Sequence, residues 1–345
     1  MTKKRPDSIR QILSESVMAS GILTVVALSS AHCQTVRPRS SDPRIAGGTV
    51  VEADRYQEVV ELKTDNGPLF SEQCTGTFIT PRVILTAAHC LWKQRDPRLG
   101  LVGGGIGGDF SDFEELPHKR IPNPYADDLD ELATNPGAKS ITFKLPTDPS
   151  TTRSTTCFLV APGWVVGAGG PGSRHDYALI IVNERDAATT TARIASKSPA
   201  INTVATYVGY GWNQEMGVDF GIKRYGINQI REVTRDGVIL SYSDDNQSPR
   251  LREGDSGGPI YVSGELVGVA SALQEGAPRK VGSEGSVREV KVDVGFHVDI
   301  NEPRNSEYIK KALERVTNGA IDPQSGKGCG PRNHEEHLRF LQKGG

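Results

Sequence analysis

The chain has 345 residues, of which 36% are hydrophobic, and a formal net charge of −2 from 40 basic and 42 acidic side chains. That length is enough for one sizeable core or two smaller ones, and the charge balance argues against nucleic acid or an anionic membrane as a partner. With 38 glycines and 21 prolines set between short apolar runs, the pattern predicts many short strands in barrels rather than alternating strands and helices.

Lys3, Lys4, Arg5 and Arg10 precede a mostly apolar run from Val17 to Leu28. The run is shorter than the roughly 20 residues a membrane-spanning helix needs. Small residues at Ser29 and Ala31 permit cleavage after Ala31, which predicts an export signal over 1–31. An amphipathic helix is the alternative, because Asp7 and Glu15 make the basic region unusually acidic. Cys33 follows, but Ser30-Ala31-His32 makes a poor lipoprotein signal. Residues 32–44 end in Asp42-Pro43-Arg44 and lead into Ile45-Ala46-Gly47-Gly48.

Beyond that point the apolar runs Val59 to Leu62, Thr77 to Leu85, Tyr177 to Val182, Thr203 to Val208, Val238 to Tyr242, Pro259 to Val262 and Leu266 to Ala270 predict strands. From Asn305 to Val316 the apolar residues fall at helical spacing and predict a closing helix. Residues 317–345 are charged and glycine-rich and predict a loosely ordered extension. Two glycine patterns, Gly103-x-Gly105-x-x-Gly108 and Gly167-x-Gly169-x-x-Gly172, open no convincing helix and read as flexible turns. His334-Glu335-Glu336-His337 lacks zincin spacing and a third ligand. Asn246-Gln247-Ser248 is a formal glycosylation site.

The chemistry concentrates in Gly254-Asp255-Ser256-Gly257-Gly258-Pro259. Glycines let the backbone bend tightly, so the N–H groups of Gly254 and Ser256 can converge on a developing oxyanion. A serine hydroxyl needs a base within reach. His89, delivered by Val83-Ile84-Leu85-Thr86-Ala87-Ala88-His89-Cys90, has that setting among the seven histidines. The base needs a buried carboxylate, and Asp176 opens the apolar run Asp176 to Val182. The order is therefore His, Asp, Ser, the order of two-barrel proteases rather than α/β-hydrolases or subtilisin-type enzymes.

In these three motifs the chain resembles the trypsin/chymotrypsin family of serine proteases over about residues 45–316. Thr86-Ala87-Ala88-His89-Cys90, His175 to Ile180 and Gly254 to Pro259 carry the resemblance; Arg44 to Gly48 is similar to the activation site and Val208-Gly209-Tyr210-Gly211 to the opening of the second barrel. The resemblance implies an all-β fold of two six-stranded antiparallel barrels with a C-terminal helix. It implies a secreted or periplasmic endopeptidase made as a zymogen, acting on protein or peptide substrates without cofactor or metal. Residues 32–44 would be the propeptide, removed by another protease or by the enzyme itself. Cleavage after Arg44 would free the ammonium of Ile45 to pair with Asp255. A Cys74–Cys90 disulfide is implied, leaving Cys33, Cys157 and Cys329 as three candidates for one further bridge.

Three departures stand out. The stretch from His89 to Asp176 is long for the family. Ile121-Pro122-Asn123-Pro124-Tyr125 resembles the segment shortly before the aspartate, which predicts an insertion at about 126–172 bordering the substrate subsites. Its acidic start (Asp127, Asp128, Asp130, Glu131) reads as a solvated loop, with calcium binding as the alternative. The resemblance implies that the position six residues before the nucleophile forms the floor of the primary pocket. Here it is Arg250, which either selects acidic residues or points to solvent while another residue lines the pocket, and the family's usual cysteine ahead of the serine motif is absent. Ser271, Ala272 and Leu273 resemble the segment that pairs with substrate backbone; Ser271 is expected to bond Asp176, Leu273 to crowd the pocket entrance, and Gly295 and Phe296 to line its far side. A non-catalytic homologue acting as a binding module is the competing reading, and an esterase or transferase using the same acyl chemistry is a further one.

Overall fold

The structure is a computed structural model that describes residues 48–65, 71–92, 138–165, 172–211, 221–243, 249–281 and 288–330. The expected export signal and propeptide, with Cys33, Arg44 and Ile45, lie outside the described residues. So do Ile121 to Tyr125, the acidic stretch from Asp127 to Glu131, Asn246 and the tail from residue 331. The glycine pattern at 103–108 lies outside them, as does all of the one at 167–172 except Gly172.

A two-residue strand, β1 (Thr49–Val50), leads into the first sheet. That sheet holds β2 (Val59–Asp65), β3 (Ser71–Thr80), β4 (Val83–Thr86), β5 (Ser140–Leu145), β6 (Asp148–Thr155), β7 (Phe158–Val160) and β8 (Ala178–Ile181), in the order β6-β5-β2-β3-β4-β8-β7 and antiparallel throughout. The two edge strands β6 and β7 are joined only by Thr156 and Cys157. They act as one bent strand that pairs with β5 through its first part and with β8 through its second. At the bend Ile181 N donates to Cys157 O (2.9 Å) and Thr155 Oγ1 donates to Ile181 O (2.8 Å). The ring of six is thus closed by chain continuity rather than by a complete ladder. Phe78, Phe143, Ile84, Leu62, Ile141 and Leu179 fill it, with Phe78 and Phe143 meeting edge to face at 5.9 Å. Trp164, in the short helix α1 (Pro162–Val165), donates its indole N–H to Trp92 O (3.1 Å) and holds the chain after His89.

The second sheet holds β9 (Val204–Gly209), β10 (Arg224–Val233), β11 (Val238–Ser243), β12 (Pro259–Val262), β13 (Glu265–Val281) and β14 (Arg288–Asp299). β9 pairs with both β12 and β10, so these six strands form a closed barrel, with β1 added outside on β10. Ser263 and Gly264 both have positive φ (52° and 80°), the conformation a two-residue hairpin needs, and they turn β12 into β13. Ala205, Tyr207, Ile230, Ile239, Ile260 and Val267 form a core of its own. Where the barrels touch, β4 meets β13 and β2 meets β9. β4 and β8 are accordingly buried on both faces.

The closing helix α2 spans Pro303–Thr317. Glu302 caps it by accepting from Arg304 N (2.9 Å) and Asn305 N (3.1 Å), and proline opens its first turn. Its buried face is Asn305, Tyr308, Ile309, Ala312 and Val316, and Tyr308 Oη donates to Val160 O (3.0 Å) across to the first ring.

Two expectations are corrected. The region expected as an insertion, about 126–172, holds β5, β6, β7 and α1, strands the first ring cannot close without. That part of the span is therefore framework rather than insertion, while its end, Gly172, lies against Ala272 and Phe296. Residues 318–330 are also not loose. A disulfide joins Cys157 to Cys329, and Gly330 N donates to Phe158 O (3.0 Å), so the chain after α2 is fastened to the bend of the first ring.

Candidate active site

β4 ends at Thr86, and a single 3₁₀ turn, Ala88–Cys90, swings His89 out of the ring. Cys90 is bonded to Cys74 on β3, closing a sequence separation of 16. In the chain-entropy model such a loop contributes about 3 kcal/mol. The bridge also occupies both sulfurs, so the cluster of Cys74, His89 and Cys90 offers no thiolate to a metal. β8 pairs with β4 through Thr86↔Ala178, which brings Asp176 to the same end.

Asp176 is fully buried. It accepts from His89 N at Oδ1 (2.9 Å), from His89 Nδ1 at Oδ2 (2.8 Å) and from Ser271 Oγ at Oδ2. Ser271 Oγ in turn accepts from Gly172 N (2.7 Å). Three donors compensate a carboxylate that burial alone would penalise. They also fix the imidazole with Nδ1 protonated, leaving Nε2 as the acceptor. Burial alone would lower the His89 pKa, but the Asp176 charge and its hydrogen bond outweigh it and raise the pKa above the usual imidazole value.

The serine loop is held against this pair by backbone. Thr75 N donates to Ser256 O (2.8 Å), and Gly257 N donates to Ala270 O (2.7 Å). Gly257 has φ 83°, and a Cβ there would lie 2.1 Å from Thr86 Oγ1 and 2.8 Å from Ala87 N. Glycine is therefore required for Ser256 to sit beside the histidine turn. Gly254 is also left-handed, with φ 93° and Gly211 Cα 3.0 Å from where its Cβ would be. Thr75 was not singled out in the sequence, yet its hydroxyl donates to Gly254 O (2.8 Å) and accepts from Tyr210 N (3.0 Å). Its one visible signal is its place next to Cys74.

Asp255 is buried against β9. Its carboxylate accepts from Gly211 N (2.8 Å) and Arg252 N (2.8 Å), and it fills the space a side chain at Gly209 or Gly211 would take. Burial raises its pKa to about 6 despite those bonds. The folded state thus favours the neutral acid. The stability this contributes is present below the ordinary carboxylate pKa and is lost as pH rises towards 6. Gly209→Ala is expected to cost about 2 kcal/mol and lower turnover, since the new Cβ would fall 2.1 Å from Asp255 Oδ1. Denaturant unfolding and active-site labelling of one sample read both effects.

Of the residues expected at the pocket, Ser271, Ala272 and Leu273 lie on β13, and Leu273 faces Gly295 across to β14. Arg250 neither points to solvent nor stands alone. It forms an ion pair with Asp293, with side chains 18% and 12% exposed. Asp293 was missed in the sequence because nothing local marks it.

Two antiparallel barrels, with the His89–Asp176 pair and the Ser256 loop meeting where they touch, define the class as a serine protease of the two-barrel kind. A family model described as a trypsin-like peptidase domain matches residues 74–269, and the chain belongs to that family. An uncharacterized peptidase of Corynebacterium glutamicum is 28% identical over 265 residues, covering 74% of this chain and 73% of the relative. Trypsin, alkaline C, of Manduca sexta is 28% identical over 273 residues, covering 73% and 89%. A solved structure of a Glu endopeptidase in complex with MPD aligns with a TM-score of 0.49 at 17% identity, covering 77% of this chain and 96% of that one. The chain thus carries a serine protease domain, whose substrates are proteins or peptides. Among the described residues no helix is long and apolar enough to cross a membrane.

Proposed function

We propose that the protein is a secreted serine endopeptidase, made as a zymogen and activated by cleavage after Arg44. His89 takes the proton of Ser256 as its oxygen attacks a peptide carbonyl, then gives it to the leaving amine. Asp176 holds His89 and balances the imidazolium. The N–H groups of Gly254 and Ser256 receive the oxyanion, and water releases the acyl group. The observation that carries this reading is the fully satisfied Asp176, with His89 on one side and the Ser256 loop seated on Thr86 and Thr75.

The activation step rests on reach and charge. Val50 pairs with Arg224, which pairs with Gly209, against which Asp255 lies. Two strand spacings amount to roughly 10 Å, and the chain from Ile45 to Val50 can span about 17 Å. A new ammonium at Ile45 would lower the raised pKa of Asp255 and turn an unfavourable charge into half of an ion pair. Two disulfides support an oxidising compartment.

Labelling by a fluorophosphonate probe, before and after cleavage at Arg44 and with Ser256→Ala as control, tests the reading. Labelling only after cleavage is expected. Labelling of the uncut chain would remove the zymogen step. Folded protein that never labels would leave the binding homologue instead.

A further inference from the structure

We propose that Asp293 is the specificity-determining residue of this site: by holding the charge of Arg250 it leaves the primary pocket neutral and directs it to uncharged side chains. The inference rests on the protease reading and extends it to the class of substrate.

Arg250 lies six residues before Ser256, at the position expected to form the pocket floor. An arginine there would select acidic side chains if its charge were available. The fold seats it beside a carboxylate instead. Pro249 O accepts from Ser243 Oγ (3.1 Å) and Asn228 Nδ2 (3.1 Å), and Ser243 is the cross-strand partner of Asp293. The backbone of residue 250 is thereby fixed next to the carboxylate with which its side chain pairs.

Both oxygens of Asp293 are engaged. Oδ2 meets Arg250, and Oδ1 accepts from Gly276 N (2.9 Å) in the bulge of β13, where φ is 65°. Asp293 therefore joins three segments: its own strand β14, the segment leading to Ser256, and the continuation of Ser271-Ala272-Leu273. A second ion pair, Arg252 with Glu275, ties the last two again. These two arginines and two carboxylates cancel; of the other acids on the described part of the segment, Glu253 is exposed and Asp255 is buried against Gly209 and Gly211. A charged substrate side chain would have to break a half-buried pair to find a partner, which is costly. An uncharged one would not.

Removing the carboxylate should reverse the preference. Asp293→Asn keeps an oxygen for Gly276 N and removes the negative charge that faces the Arg250 guanidinium, a charge that a Glu side chain can supply with matching geometry. In an Ser256→Ala background, N-acetyl tripeptides ending in Leu, Glu or Lys are titrated by calorimetry into the cleaved protein, with thermal melts confirming the fold. The Leu peptide is expected to bind best without the Asp293 change. Asp293→Asn is expected to raise the Glu-to-Leu affinity ratio on the order of tenfold, and adding Arg250→Gln to abolish that gain. Glu preference without the Asp293 change would overturn the proposal, as would an unchanged ratio in folded Asp293→Asn. Because binding needs no turnover, a failure of labelling or hydrolysis counts against the protease reading, and a failure of the ratio to move counts against this one.

Discussion

Asp176→Asn is expected to lower kcat by about 10⁴-fold while leaving KM within a few-fold, an order of magnitude set by the equivalent change in a Ser-His-Asp site. The side chain is nearly isosteric and can still accept from His89 N. It carries no charge, however, and its amide can present a donor to Nδ1, which would place the histidine proton on Nε2, where a base must be bare. The same geometry sets the pH dependence. His89 acts as a base only when neutral, and its pKa lies above the usual imidazole value because Asp176 outweighs burial. Activity should therefore fall as pH drops through a value above about 6.5, the ordinary imidazole pKa, and the acid limb should move down in Asp176→Asn. Steady-state kinetics across pH on a peptide ester and an amide decide this. A loss below tenfold with an unmoved acid limb would falsify the assignment of His89 as base.

The Cys157→Ser, Cys329→Ser double variant is expected to lose about 5 kcal/mol of stability, against about 3 for the pair Cys74 and Cys90. The difference follows from the chain-entropy model: the first bridge closes a sequence separation of 172 and the second only 16. The first bridge lies at the bend of the ring, away from His89, Asp176 and Ser256. The variant should therefore keep its labelling rate at low temperature while its melting temperature drops. Urea titrations of both double variants provide the check. A smaller loss for the longer loop would show that the folded contacts at the bend, not the freedom of the unfolded chain, dominate.

The site was more legible in the sequence than the fold around it. His89, Asp176 and Ser256 each lie in a short run whose chemistry is local: a strand delivering a histidine, an acid before a strand, a serine among glycines. His89 meets Asp176 because β4 pairs with β8, and Gly257 lets the Ser256 loop lie against Thr86. Asp293 and Thr75 act through partners far off in sequence, Arg250 at a separation of 43 and Gly254 at 179. No local pattern announces such partners. The strands at 140–160 fall inside the expected insertion because its start rests on the resemblance of Ile121 to Tyr125 to the segment before the aspartate, and β6, with Asp148-Pro149-Ser150-Thr151-Thr152-Arg153, is mostly exposed and polar and carries no apolar alternation to counter that reading. The second disulfide stayed open among three cysteines because pairing is a property of the fold.

Where the chain leaves the first ring after Trp92 and returns at Ala138, the two ends are already joined: Ala138 N donates to Leu91 O at 2.7 Å. Segment length between them is thereby uncoupled from the barrel. Closing a longer loop costs little more than closing a shorter one, about 0.6 kcal/mol per doubling, and the hydrogen bond at its neck keeps that cost from reaching β4 or β5. The doorway stands two residues past Cys90 and so next to the histidine. A lineage could lengthen or shorten the chain between Trp92 and Ala138 without redesigning a single strand of the ring.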